Sequence, residues 1–335
     1  MRHRRWRDGL NPMLTGAVLV GTLAVVLDAG KGGWGGASGS ATGAQPQFSG
    51  WSAPVNLGAP PNSAGRDAGP FISRDGLRLY FAAMDKKDSL GGFDLYVSRR
   101  ASISAPWGEP QNLGPALNTS GNEQAPALSA DESQLYFYSD KPGGLGGFDL
   151  YVSRRENTRD ESGWQPPASL GSTVNSEAAD QGPYLLEDEA TKAVTLFFSS
   201  NRPGGPGLDD IYASTLQPNG IFGPPKVVLE LSTPSRDLRP AIRRDGLEMF
   251  LDSDRPGGIG GLDIWVSTRR TKMEAWPAPA NLGPVINTAG QDVRPALSFD
   301  GTALYFHSGG RGGQGDFDLF VTTRTLVTGR DQARH

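Results

Sequence analysis

Residues 123–155 read "EQAPALSADESQLYFYSDKPGGLGGFDLYVSRR". Three short runs, "PALS", "LYF" and "DLYVS", are rich in apolar, aromatic or β-branched residues and are separated by Asp, Gly and Pro. That is the pattern of strands joined by turns, with no helical period anywhere in it. The first half returns as "DAGPFISRDGLRLYF" (67–81), "DQGPYLLEDEATKAVTLFF" (180–198), "DLRPAIRRDGLEMFL" (237–251) and "DVRPALSFDGTALYF" (292–306). The leading residues Asp67, Glu123, Asp180, Asp237 and Asp292 are spaced by 56, 57, 57 and 55. The third copy carries a small insertion, "EATKAV", in its turn.

Each copy is followed by a glycine loop with basic residues, as in "DKPGGLGGFDLYVSRR" (140–155) or "NRPGGPGLDDIYAS" (201–214). Glycine beside lysine invites a phosphate-cradle reading, but the lysine precedes the glycines, no helix follows, and comparable loops occur in all five copies. These loops are turns between strands, with glycine supplying backbone freedom. An aromatic opener precedes each copy: "WSAPVNLG" (51–58), "WGEPQNLG" (107–114), "WQPPASLG" (164–171), "FGPPKVVL" (222–229) and "WPAPANLG" (276–283).

A repeat of about 56 residues with four strands is a propeller blade, because one blade cannot bury both faces whereas a ring can. The sequence therefore predicts an all-β, five-bladed β-propeller of four-stranded antiparallel blades. Counting from the axis, strand A holds "P.LS", B "LYF", C "DLYVS" and D "W..P.NLG". Residues 51–57 supply strand D of the last blade and close the ring, which removes exposed sheet edges. The expected layout is a signal peptide or N-terminal anchor (1–28), a Gly/Ser/Ala-rich linker (29–47), the propeller (48–325) and a tail (326–335). The repeats fall near 59–113, 114–170, 171–228, 229–282 and 283–325.

The consensus "P.LS.DG..LYF.S.RPGG.GG.DLYVS.R" resembles the WD40-like (PD40-type) propeller repeat of TolB-like exported proteins. The resemblance covers about residues 50–325, and "DG..LYF" and Ser200–Tyr212 match best. It implies an exported β-propeller that binds partners and does not catalyse.

Composition narrows the chemistry. Lys+Arg 32 against Asp+Glu 36 leaves a charge of −4, which is not the basic footprint of a nucleic-acid binder. Cysteine is absent, so disulfides and thiolate chemistry are excluded. The three histidines are His3, His307 and His335, which excludes a multi-histidine metal site. No metal or cofactor is expected. "GGPGLDD" (204–210) fits no calcium loop. The start of the chain is basic ("MRHRRWRDGL"), then apolar over 13–27, then small-residue-rich over 30–45. That order is the layout of a secretory signal, so a periplasmic or secreted location is expected, with membrane contact only through an uncleaved anchor. A monomer is expected.

On this topology the D–A and B–C loops share one face. The acidic residues Asp67, Glu123, Asp180, Asp237 and Asp292 are expected to ring the axial opening there, with Arg239 and Arg294 among them, in position to hold a cation, a sugar or a polar peptide. Repeated residues usually do one structural job five times, so positions that break the repeat are the better candidates. One such position follows "LYF": Ala82, Tyr138, Ser199, Asp252 and His307 share one strand face. Tyr138, Asp252 and His307 are the candidate ligand-binding side chains. The functional expectation is a non-enzymatic binding module for a protein or a cell-envelope polysaccharide, acting on the D–A/B–C face. The alternative is a glycoside hydrolase-like five-bladed propeller using two of Asp237, Asp252 and Asp292 as acid and base.

Overall fold

A computed structural model describes residues 47–327. The expected signal segment, nearly all of the linker and the end of the tail lie outside the described residues, as do His3 and His335.

Two short strands come first, β1 (Gln47–Phe48) and β2 (Val55–Asn56). Blade 1 is β3 (Arg66–Ile72), β4 (Arg78–Met84), β5 (Asp94–Arg99) and β6 (Gln111–Asn112). Blade 2 is β7 (Glu123–Leu128), β8 (Gln134–Ser139), β9 (Asp149–Arg154) and β10 (Ala168–Ser169). Blade 3 is β11 (Asp180–Glu187), β12 (Val194–Ser200), β13 (Asp210–Thr215) and β14 (Lys226–Val227). Blade 4 is β15 (Asp237–Ile242), β16 (Glu248–Ser253), β17 (Asp263–Thr268) and β18 (Ala280–Asn281). Blade 5 joins β19 (Asp292–Leu297), β20 (Ala303–Ser308) and β21 (Asp318–Thr323) to β2. β2 pairs antiparallel with β21, Val55 opposite Val321 and Asn56 opposite Phe320, so the N-terminal strand closes the ring as expected. One pairing was not read from the sequence: β1 pairs with β22 (Leu326–Val327), joining the boundary of the expected linker and propeller to the expected tail.

The core lies between blades. Alternation along β4 sends Tyr80 and Ala82 into one layer with Leu128, Leu135 and Phe137 of blade 2. It sends Leu79, Phe81 and Ala83 into another with Ala296, Tyr305 and Leu319 of blade 5. Comparable layers join blades 2 and 3, 3 and 4, and 4 and 5. The period-2 pattern thus becomes two buried faces per blade.

Each innermost strand carries a bulge next to the axis. The bulged residue precedes the motif proline and has positive φ in every blade: Gly69 (+60°), Ala125 (+51°), Gly182 (+61°), Arg239 (+50°) and Arg294 (+57°). A bulge turns a side chain away from its regular direction. Here it aims that position at the shaft.

Deleting the chain up to Gly58 removes β1 and β2, exposes the edge of β21 and removes the Asn56 Nδ2–Asp318 Oδ2 bond of 2.9 Å. Several kcal/mol of lost packing and pairing corresponds to a fall of roughly 10 °C in Tm. Deletion up to Pro46 keeps both strands and is expected to leave Tm unchanged. Thermal melts followed by circular dichroism compare the two, and equal midpoints would refute the closure.

Candidate functional site

The five acidic residues that open the A strands are all buried, and each is held the same way. The residue four positions earlier donates its amide and its hydroxyl to the carboxylate: Ser63 to Asp67 (2.6 and 2.8 Å), Thr119 to Glu123 (2.8 and 2.7 Å) and Ser176 to Asp180 (2.7 and 3.0 Å). Thr233 does the same for Asp237 (2.5 and 2.8 Å) and Thr288 for Asp292 (2.6 and 2.7 Å).

A cation from the B–C loop completes four of these sites at short range. Lys86 lies 2.9 Å from Asp67, Arg202 2.5 Å from Asp180, Arg255 2.5 Å from Asp237 and Arg311 3.4 Å from Asp292. These contacts turn the carboxylates into the blades. They do not ring an open axial mouth, and Asp237 and Asp292 are committed to loop clamping and not free for acid–base work. Burial pushes the Asp67 carboxyl up, against the pull of Lys86.

At the position after "LYF", Tyr138, Asp252 and His307 make hydrogen bonds to residues of other blades. Asp252 and Tyr138 are fully buried and His307 is 5 % exposed. Arg239 Nη1 donates to Asp252 Oδ2 at 2.6 Å, and the Arg294 amide donates to Asp252 Oδ1 at 3.1 Å. The Arg294 Nη2 donates to Gln124 Oε1 at 2.7 Å and to the Tyr138 hydroxyl. The Gly69 amide donates to His307 Nδ1 at 3.3 Å. Burial pushes the Asp252 carboxyl up while Arg239 pulls it down. Burial, then Arg294 and Arg239, holds the His307 imidazole well below its ordinary range. Of the remaining members, Ser199 donates to the Gln181 carbonyl at 3.1 Å and Ala82 packs in the blade 1–2 core.

The large cavity lies elsewhere. A space of about 390 Å³ opens at the A–B end of the axis, opposite the face expected from the sequence. Phe71 and Tyr184, whose ring centroids are 6.3 Å apart, line it with Leu128, Leu186 and Leu297. The residue just before each A–B turn Asp also lines it, and this position holds four residue types in the five blades: Arg74, Ala130, Glu187, Arg244 and Phe299. Arg74 and Arg244 stack on Phe299 with guanidinium carbons 4.3 and 4.1 Å from the ring centroid.

The blade 3 insertion extends its hairpin and adds Glu189 and Lys192 to the wall. Glu187 Oε1 accepts the Ala130 amide at 2.6 Å, and no ion pair to Glu187 occurs among the described residues. Glu132 accepts the Arg74 amide at 2.8 Å and pairs with Arg78. Glu189 pairs with Arg244. Sequence reasoning missed this site, although two signals were present: a variable position inside a uniform repeat, and the one insertion.

No protein-family model matches the chain, and no curated protein sequence matches it. Solved structures do. The α-L-arabinofuranosidase PaAbf62A from Podospora anserina, determined with cellotriose, is 15% identical, with a TM-score of 0.54 over 84% of this chain and 98% of that one. A thermostable family-43 glycoside hydrolase is 12% identical, with a TM-score of 0.56 over 81% and 93%. A GH62 hydrolase determined with xylotriose is 12% identical, with a TM-score of 0.55 over 83% and 98%. The shared feature is the fold. The resemblance to TolB-like WD40-type repeat proteins is corrected accordingly, because the neighbours found are family-43 and family-62 glycoside hydrolase propellers. The expectation of a non-enzymatic module is corrected with it, because these neighbours in fold are enzymes.

His307 gives the folded chain a distinct pH dependence. Its folded pKa lies below the ordinary 6.5, so the unfolded chain binds a proton in a range where the folded protein does not. Stability is therefore complete above pH 6.5. It declines as pH falls below that value, by up to about 1.4 kcal/mol per pH unit, until the folded imidazole itself titrates. Urea unfolding between pH 7 and pH 5 is expected to show a shallower decline for His307→Gln than for the parent. Parallel curves would mean that His307 is not kept neutral.

Proposed function

We propose that this chain is a glycan-acting propeller of glycoside hydrolase type, which takes a sugar unit into the axial cavity at the A–B end. The observation that carries the reading is the cavity itself: about 390 Å³, with aromatic side chains and unrepeated carboxylates facing one space. That volume lies in the range of small-ligand sites, and such sites combine apolar walls with a few polar groups that fix orientation. The likeness in fold to arabinofuranosidases and xylosidases supports pentose-containing glycans as the first substrates to test.

Glycosidic hydrolysis uses two carboxyl groups with unlike roles. Glu187, whose Oε1 accepts the Ala130 amide and which meets no cation among the described residues, is assigned the acid–base role. Glu132, fixed by the Arg74 amide and by Arg78, is the second carboxylate across the blade 2–3 boundary. Arg74 and Lys192 would meet sugar hydroxyls. This reading takes up the alternative raised from the sequence but moves its carboxylates away from Asp237, Asp252 and Asp292, none of which lines the cavity. The extracytoplasmic location suggested by residues 1–44 remains part of the proposal, because polymeric glycans are met outside the cytoplasm.

The test is product analysis after incubation with arabinoxylan, xylo-oligosaccharides and arabino-oligosaccharides. The parent chain is expected to release a sugar. Glu187→Gln is expected to lower turnover by about 10²–10⁴-fold, the usual contribution of a general acid or base, with binding retained in calorimetry. Absence of both release and binding across these glycans would overturn the reading.

A further inference from the structure

The shaft beneath the cavity floor carries a charge imbalance that the glycan reading does not use. Arg239 and Arg294 come from adjacent blades at the bulged position. Asp252 is the carboxylate in contact with them. Asp209, the next carboxylate to influence Arg239, pairs with Arg236 at 3.8 Å. His307 adds no compensating negative charge, and its depressed pKa keeps it neutral. Two partly buried guanidinium groups therefore lie near one carboxylate, which only the Arg239 guanidinium touches, and an unpaired charge held away from bulk water is costly. Burial and the neighbouring Arg239 push the Arg294 guanidinium down to about 10, which still leaves it charged at neutral pH.

Hydrogen bonding tells the same story. Arg239 uses Nη1 on Asp252, and Arg294 uses Nη2 on Gln124 and Tyr138. Arg239 Nε and Arg294 Nη1 are buried and find no acceptor among the described residues. Both arginines border a second space of about 30 Å³, whose walls also include the bulged residues of the other blades, the motif prolines, Phe71 and Tyr184. Two glycines keep the arginines clear: a Cβ at Gly69 would lie 3.0 Å from Arg294 Nη1, and one at Gly182 would lie 2.9 Å from Arg239 Cγ. The space exceeds what one water needs and is far below what a sugar ring needs. A neutral water would satisfy an N–H group but would leave the charge.

We propose that the axial shaft binds one small monovalent inorganic anion of chloride size, held by Arg239 Nε and Arg294 Nη1. The anion neutralises the shaft and fastens blades 4 and 5 where their inner strands approach the axis.

The full chain, exchanged into gluconate buffer, is titrated with sodium chloride at constant ionic strength while Tm is followed. A saturable rise of several degrees with chloride and bromide is expected, with none for added gluconate. Arg294→Met leaves Arg239 and Asp252 balanced and is expected to abolish the rise. Should that variant not fold, crystals of the parent chain grown in bromide decide the matter, with an anomalous peak expected on the axis between the two guanidinium groups. A titration without saturation or halide preference, or an anomalous map with no axial peak, overturns the proposal. Neither measurement involves a glycan, so failure here is separate from failure of the glycan reading.

Discussion

The buried carboxylate at the head of each innermost strand is the interaction on which the rest of the fold depends. It accepts an amide and a hydroxyl from the D–A loop, and in four blades it meets a lysine or arginine from the B–C loop within 3.4 Å. That cation in turn stacks on core aromatics, Arg255 over Trp265 at 5.4 Å and Arg202 over Tyr212 at 5.0 Å. One group thus fixes where the chain enters a blade, where it turns between the middle strands, and how the core is capped. Breaking such a buried, hydrogen-bonded pair costs about 3–5 kcal/mol, and the pair recurs in four of the five blades.

The Asp at the start of each C strand is a second clamp. Asp94, Asp149 and Asp318 accept B–C loop amides at 2.5, 2.6 and 2.6 Å, and Asn112 and Asn56 of the outer strands reach the first and last at 3.2 and 2.9 Å. Uniform residues therefore build the frame, and individuality collects where the repeat varies. Three such sets matter: the bulge, the position after "LYF", and the position before the A–B turn. The first two meet in the shaft and the third lines the cavity.

The architecture was legible because both of its determinants are local or periodic. Strand alternation assigns each side chain to one of two inter-blade layers, and the 55–57-residue spacing counts the blades. Ring closure followed from phase, since the chain opens on a D-type segment. The pairing of β1 with β22 was hidden because two residues on each side carry no period. Phe48 is nevertheless anchored, its ring 3.8 Å from the Arg324 guanidinium carbon. The shared strand face of Tyr138, Asp252 and His307 could be inferred from strand periodicity. The side chains that join them could not, because Arg239 and Arg294 reach the shaft only through a left-handed backbone that sequence alternation does not report. Likewise, the acidic residues looked like an axial ring until the Ser or Thr four positions earlier was seen to claim them.

Why the cavity lies at the A–B end follows from the same clamps. On the opposite face the loops are long, but their carboxylates, cations and aromatic rings are spent on one another. At the A–B end the hairpins are tight and each is stabilised by its own turn Asp, as where Asp75 accepts Ser73 Oγ at 2.6 Å and the Leu77 amide at 2.9 Å. The residue before that Asp is then released from structural duty. With Ala130 on one side, Phe299 on another and a longer hairpin in blade 3, five side chains of four kinds leave the centre open. The opening is a consequence of asymmetry imposed on a frame that is otherwise fivefold, and each blade can alter its share of the wall without disturbing the clamp that holds it.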